Sequence, residues 1–446
     1  MSRKQYPTYK PSGVQWLGDV PEHWEVKRTC FMLSLNPSKK EIDYLSPETE
    51  LAFLPMEAVG EDGTLRIDTK RPVYEVSSGY TYFSEGDVTF AKITPCFENG
   101  KGAIMRDLGT EYGFGTTELT VLRPGPKLHN EYLYFLTISR DFRKNGEAWM
   151  YGAGGQKRVP DDFVKEFQIG FPPLPEQQAI ASFLDRETGR IDALIDKKKR
   201  LIALLKEKRS AMISRAVIKG LDHSVKMKPS GVPWLGDAPE GWEVLPIKRI
   251  VSTPVTDGPH ETPEILDEGI PFVSAEAVRN NKIDFNKKRG FISEDDHRRF
   301  SLKYHPKRND IYMIKSGATT GNLAIVETDE EFNIWSPLAV IRCHYEKSDP
   351  RFVLSAMNSR EFQTSVQLFW SYGTQQNIGM NVVQNLVLPI PPLPEQQAIA
   401  AFLDRETEKI DSLVAKVETA IERLKEYRTS LISSAVTGKI DVRERI

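Results

Sequence analysis

Long hydrophobic runs are missing from this 446-residue chain: no stretch approaches the 18 consecutive apolar residues that a membrane-crossing helix needs. Cysteine is scarce as well. Cys30, Cys96 and Cys343 stand far apart and without CxxC spacing, which argues against a disulfide framework and against a thiolate zinc site. The first residues, Met1-Ser2-Arg3-Lys4-Gln5-Tyr6-Pro7, lack the apolar core of a signal peptide, so a cytoplasmic protein with no membrane partner is expected. A positive surplus is absent too, since 60 Lys and Arg face 62 Asp and Glu. Only residues 172–221 depart from balance, with 11 basic and 6 acidic side chains. Any attraction for phosphate must therefore come from local patches or from partner chains.

Catalytic templates are also lacking. The chain has no HExxH, GxSxG, GxxxxGK[ST] or Rossmann fingerprint, and no Asn/Asp-Pro-Pro-Tyr/Phe tetrapeptide of an amino-methyltransferase. The Gly-rich run Gly152 to Lys157 has no Ser or Thr after its lysine, and the seven histidines have no ligand spacing. Asp196-Lys197-Lys198 resembles half of a nuclease motif but falls inside a heptad pattern. No catalytic residue and no metal ligand is assigned.

What the chain does contain is itself, twice. Lys10 to Val26 returns as Lys228 to Val244, with 13 of the 16 positions after the lysine identical. Pro172 to Ile195 returns as Pro391 to Val414, with 19 of 24 identical. Between these anchors the copies look almost unrelated. Even drift after a duplication would not leave near-identity beside divergence, so the like parts share one job and the unlike parts do two different ones.

After each Pro-Pro-Leu-Pro a long proline-free stretch follows, which reads as one helix spanning roughly 65 Å. A pattern alternating three and four runs through Ile191, Leu194, Lys198, Leu201, Leu205, Lys208 and Met212 in the first copy, and through Ile410, Leu413, Val417, Ala420, Leu424, Tyr427 and Leu431 in the second, mostly apolar in both. Both patterns read as coiled-coil seams. The expected fold class is α+β: mixed α/β domains over 1–171 and 222–389, and long helices over 172–221 and 390–446 that form an antiparallel coiled coil. The internal repeat then has pseudo-two-fold symmetry, with the domains separated by the helices. Strands are expected at Gly86–Lys92, Glu118–Leu122, Ile270–Val273, Asp310–Lys315 and Leu338–Ile341. Helices are expected over Asn130–Lys144 and Pro350–Phe369, which share a Ser-Arg-acid-Phe signature.

Two polar loops correspond across the copies. The first leaves a strand at Lys92 or Lys315 and offers Thr94, Asn99 and Lys101 in one copy, and Ser316, Thr319, Thr320 and Asn322 in the other. The second offers Gln156, Lys157 and Arg158 against Gln375, Gln376 and Asn377. Lys and Arg suit guanine or phosphate, and Gln and Asn suit adenine. Polar loops are also commonly just solvated. Glu98 reads either way, since a carboxylate repels phosphate but accepts from cytosine N4. Trp16, Trp24, Trp234 and Trp242 fit folding or scaffold docking better than base stacking, because they are alike in both copies. The basic stretch from Lys197 to Arg209 reads as a face for DNA, for a partner, or for solvent alone.

These motifs carry a resemblance. The Pro-Pro-Leu-Pro-Glu-Gln-Gln-Ala-Ile-Ala helix starts, the Leu-Asp-Arg-Glu-Thr-x-x-Ile-Asp continuations, the Pro-Ser-Gly-Val-x-Trp-Leu-Gly-Asp-x-Pro-Glu-x-Trp openings and the Gly-Asp strand ending at Lys92 resemble the specificity subunit of type I restriction–modification enzymes, over essentially the whole chain. The resemblance implies two target recognition domains, each reading half of a split double-stranded DNA target. It also implies that the helices hold two methylation subunits, and that restriction subunits join in the full complex. On that reading this chain needs no cofactor, and S-adenosylmethionine, ATP and Mg are used by the partners. Asn309 departs from the pattern where Gly86 stands in the first copy. Two other readings stay open: a coiled-coil scaffold that assembles partners without reading DNA, and a fused nuclease or methyltransferase.

Overall fold

The computed structural model describes residues 4–153, 155–372 and 376–443. The chain forms two compact units, one of residues 1–198 with 419–446 and the other of residues 199–418. These units cut across the four sequence segments, because each long helix gives one part to each unit. The first long helix runs Leu174–Lys219 and the second Leu393–Val436. No helix among the described residues is long and apolar enough to cross a membrane.

The variable part of the first unit holds two four-stranded sheets. One runs in the order Lys70–Pro72, Glu50–Leu54, Tyr112–Gly115, Thr81–Ser84, with the middle two strands parallel. The other runs Leu33–Leu35, Leu119–Pro124, Val88–Ala91, Gly102–Ile104, all antiparallel. Ala52, Leu54 and Phe83 of one sheet and Ala91, Leu119 and Val121 of the other share a buried core. The second unit repeats this plan. Its four-stranded sheet runs Thr256–Asp257, Leu338–Ile341, Ile311–Ile314, Leu323–Ile325, and its smaller sheet pairs Ile270–Val273 with Asn333–Ile334 in parallel. Parts that look unrelated in sequence therefore fold alike, since the plan demands buried apolar strands rather than particular residues.

The near-identical anchors explain themselves physically. Trp24 and Trp242 are buried, and each donates its indole N–H to the glutamate of the Pro-Glu-Gln-Gln motif, Trp24 to Glu176 at 3.0 Å and Trp242 to Glu395 at 3.1 Å. The next residue, Gln177 or Gln396, is wholly buried and makes three bonds. Gln177 donates to the carbonyls of Lys127 and Pro172 and accepts from the amide of His129. Gln396 does the same with Lys347, Pro391 and Asp349. A buried amide with all its groups met locks the start of each helix to its domain.

The Gly-Asp motif is also a folding device. Asp87 accepts two bonds from the Arg123 guanidinium at 2.7 and 2.8 Å, and Asp310 accepts two from Arg342 at 2.7 and 2.6 Å. Both carboxylates are buried, so the fork–fork pairing offsets their desolvation. The residue before each aspartate has positive φ, +89° at Gly86 and +71° at Asn309. Asparagine is among the few side chains that accept this conformation, which accounts for the departure at Asn309.

The expected helices over Asn130–Lys144 and Pro350–Phe369 are each broken in two: Asn130–Thr137 with Arg140–Trp149, and Pro350–Met357 with Arg360–Leu368. The shared Ser-Arg-acid-Phe signature is the break. Ser139 and Ser359 cap the second helix of each pair by accepting from the amides of Phe142 and Phe362. The next amides, of Arg140 and Arg360, donate to Ser433 and Ser214 on the long helices.

Within each unit the two long helices run antiparallel. Arg428 on the second pairs with Asp192 on the first, and Arg209 on the first pairs with Asp411 on the second, both at 2.9 Å. Of the expected seam, Ile191, Ile410, Val417 and Leu431 are buried, and Leu205, Met212 and Leu424 are half-buried. Leu194, Leu201 and Leu413 are instead 43%, 40% and 43% exposed, while Ile195 and Ile421 are buried. The observed seam steps by four and then three, through Ile191, Ile195, Lys198, Ile202 and Leu205, so it leaves Leu194 and Leu201 on a different face.

Candidate functional site

The two loops of each unit meet. In the first, the amide of Thr94 donates to the carbonyl of Lys157 at 2.9 Å, and the amide of Val159 donates to the carbonyl of Lys92 at 2.9 Å. Ile93 and Tyr151 each bridge to Arg158. In the second, the amide of Ile378 donates to the carbonyl of Lys315 at 2.8 Å, and Ser316 bridges to Asn377. Loops some 60 residues apart in sequence thus form one polar surface per unit, laid on a strand whose burial fixes its position.

That surface is held from beneath by residues that sequence reading missed. Arg143, buried in the helix Arg140–Trp149, donates to the carbonyls of Phe97 and Gly100 at 2.8 and 3.4 Å. Its guanidinium lies 4.6 Å from the Phe97 ring centroid. Burial pulls it down to about 10, which still leaves it charged at neutral pH. Gln363 plays the corresponding part in the second unit and donates to the carbonyl of Gly321 at 3.0 Å. The only sequence signal was their common place, four residues after the capping serine.

Individual site residues fall into two groups. Asn99, Gln156, Lys157, Thr319, Asn322 and Asn377 are exposed, and Lys92, Thr94, Arg158 and Ser316 are half-buried beside them. Three others turn inward. Lys101 donates its ammonium to the carbonyl of Met56 at 3.1 Å, and the buried hydroxyl of Thr320 bonds the carbonyl of Gly317 in its own turn. Lys315 is 13% exposed and lies 3.0 Å from Asp257, which also holds Lys303 at 2.6 Å. Burial alone would raise the Asp257 carboxyl, but hydrogen bonds from the two lysines outweigh it and hold the group below its ordinary range. The backbone of Gln376 pairs with that of Tyr372 in a two-stranded turn, and Gln375 lies outside the described residues. No group of three or more His, Cys, Asp or Glu side chains that could hold a metal occurs among the described residues.

Two unlike polar surfaces, each carried on the same strand-and-helix frame and each tied to a near-identical helix start, define a duplicated recognition fold. Residues 31–205 and 239–423 match the type I restriction modification DNA specificity domain, and the chain belongs to that family. The EcoAI specificity subunit of Escherichia coli is 40% identical over 181 residues, which is 40% of this chain but only 30% of that one. The putative MjaX specificity subunit of Methanocaldococcus jannaschii is 24% identical over 450 residues, 96% of each chain. Thus the chain spans about 30% of the length of the first curated relatives it matches. A chain from a solved type I R-M system superposes with a TM-score of 0.74 at 18% identity, covering 94% of this chain and 98% of that one. The HsdS subunit from Thermoanaerobacter tengcongensis gives 0.56, also at 18% identity and with the same coverage. These structural likenesses show the fold alone.

Proposed function

We propose that this chain is the non-catalytic DNA-reading subunit of a type I restriction–modification complex, acting in the cytoplasm. Each unit reads one half of a bipartite double-stranded target, and the long helices dock two methylation subunits. The observation that carries this reading is the pairing of two loops into one polar surface in each unit, with unlike side chains on a common frame. A scaffold that never touched DNA would need no such unlikeness at corresponding places.

Chemistry belongs to the partners on this reading: S-adenosylmethionine serves the methylation subunits, and ATP and Mg serve the restriction subunits. The homogeneous chain is expected to show no methyltransferase, ATPase or nuclease turnover. Radiolabel transfer from S-adenosylmethionine to DNA by the chain alone would overturn the assignment and favour a fused enzyme.

The docking reading draws on the leucines that leave the seam. Leu194 and Leu413 occupy the same place in the two copies, and Leu201 and Leu204 continue the exposed apolar surface on the first helix. Apolar stripes on an otherwise charged helix mark a protein-facing surface. Leu194→Asp combined with Leu413→Asp should leave the melting temperature of the chain within about 2 °C of wild type, because both sites face solvent. Co-purification with the methylation subunits should fall at least tenfold. Unchanged co-purification would move the docking surface elsewhere.

A further inference from the structure

Resting on the DNA-reading function proposed above, we infer that Arg158 is a pre-oriented guanine reader and that Glu118 is its positioning residue, so that the half-site read by the first unit contains a G·C pair contacted by this fork.

The geometry is specific. Arg158 donates Nε to the Glu118 carboxylate at 2.9 and 3.2 Å and Nη2 to the same group at 2.7 Å. This is a side-on, two-point grip of the guanidinium. It occupies one edge of the plane and leaves the opposite end, Nη1 and the second hydrogen of Nη2, with no protein acceptor among the described residues. Two parallel N–H donors at that end match the O6 and N7 acceptors of guanine in the major groove. Arg158 is 42% exposed and Glu118 only 23%, so the carboxylate sits behind the fork and the donor end faces outward. Exposed Gln156 and Lys157 stand immediately beside it.

The backbone around the pair is held on both sides. Lys92 donates its amide to the carbonyl of Glu118 at 2.8 Å, and Arg158 forms two backbone bonds with Tyr151. A long side chain held at its root and along one edge loses little further freedom on contact, which is the physical value of a carboxylate placed where phosphate repulsion would otherwise count against it. The second unit supplies the contrast. There Lys315 donates its amide to the carbonyl of Pro337, and Asn377 takes the bridging place of Arg158. Pro337 has no carboxylate, so this device belongs to one half-site only.

The test uses the full chain assembled with its methylation subunits, with the adenine-methylated sites read by sequencing DNA methylated by the complex. Wild type should give a bipartite motif. Arg158→Ala should relax a single G·C position roughly 10- to 100-fold, in the same half that Gln156→Ala affects. Arg158→Lys, which keeps the charge but not the fork, should relax the same position. Glu118→Gln should relax it several-fold, with the salt dependence of binding unchanged because no phosphate contact is lost. Relaxation at an A·T pair, uniform weakening across all sequences with a shallower salt dependence, or an unchanged motif in a folded complex would each overturn the inference. If Gln156→Ala alters one half while Arg158 and Glu118 variants alter nothing, this inference fails and the DNA-reading function stands. A wild-type complex with no bipartite motif would sink both.

Discussion

Glu176→Ala is expected to destabilise the chain by about 3–5 kcal/mol, and Glu395→Ala by only about 1–2 kcal/mol, although the two glutamates occupy the same place in near-identical motifs. The difference lies in what surrounds them. Glu176 is buried and accepts from the Tyr6 hydroxyl at 2.7 Å and the Trp24 indole at 3.0 Å, with His23 Nε2 at 2.7 Å from its other oxygen. Burial and the adjoining carboxylate push the Tyr6 phenol far above its ordinary value, so it remains a protonated donor. Removing the acceptor strands two buried donors at a cost of about 1–3 kcal/mol each, before any loss at His23. Glu395 accepts from Trp242 alone among these partners, since Gly241 stands where His23 does and Ser224 where Tyr6 does. Urea unfolding of the full chain, followed by tryptophan fluorescence, reads both variants. Equal losses would show that the first carboxylate does not organise its unit in this way.

Substitutions in the polar loops should alter recognition of one half-site at a time. Gln156→Ala or Lys157→Ala should weaken or relax reading of one half, and Asn377→Ala the other, by about 1–3 kcal/mol where the contact is bidentate to a base. Each surface is built within its own unit from a first loop and a second loop joined by backbone bonds, so no path carries the change to the other half. Binding of the assembled complex to duplexes mutated in either half measures this. A substitution that weakens both halves equally would show that the loops set overall affinity rather than sequence.

Much of this was legible in the sequence, for reasons that particular residues make plain. The repeat marked the Trp24 and Glu176 anchor and its twin because buried hydrogen bonds of fixed geometry tolerate few exchanges. The Pro-Pro-Leu-Pro starts and the proline-free runs gave the long helices: the first came within two residues at each end, whereas the second, expected over 390–446, starts at Leu393 and already stops at Val436, just before Gly438, which takes positive φ. The seam came out on a neighbouring face because Leu194 and Leu201 satisfy alternating three and four spacing as well as Ile195 and Ile202 do, and a helix with two apolar faces offers no sequence signal for which one meets its neighbour. Lys101, Thr320 and Lys315 look like exposed polar residues in a loop, yet their partners, Met56, Gly317 and Asp257, include groups 45 and 58 positions away that only folding brings near. Arg143 was hidden for the converse reason: a charged residue on a polar helix gives no hint that backbone carbonyls from a distant loop surround it.

The central claim is that each unit alone dictates one half of the target. Replacing residues 245–386 by residues 27–167 joins the exchange at the paired strands Glu25–Arg28 with Gln168–Phe171 and Glu243–Pro246 with Val387–Ile390, where the two copies share one register. Both units then carry the first pair of loops on an otherwise intact chain. Sequencing the adenines methylated by the assembled complex should return a target in which the second half-site has been replaced by another copy of the first. A folded, active complex that still methylates the original second half-site would contradict the account.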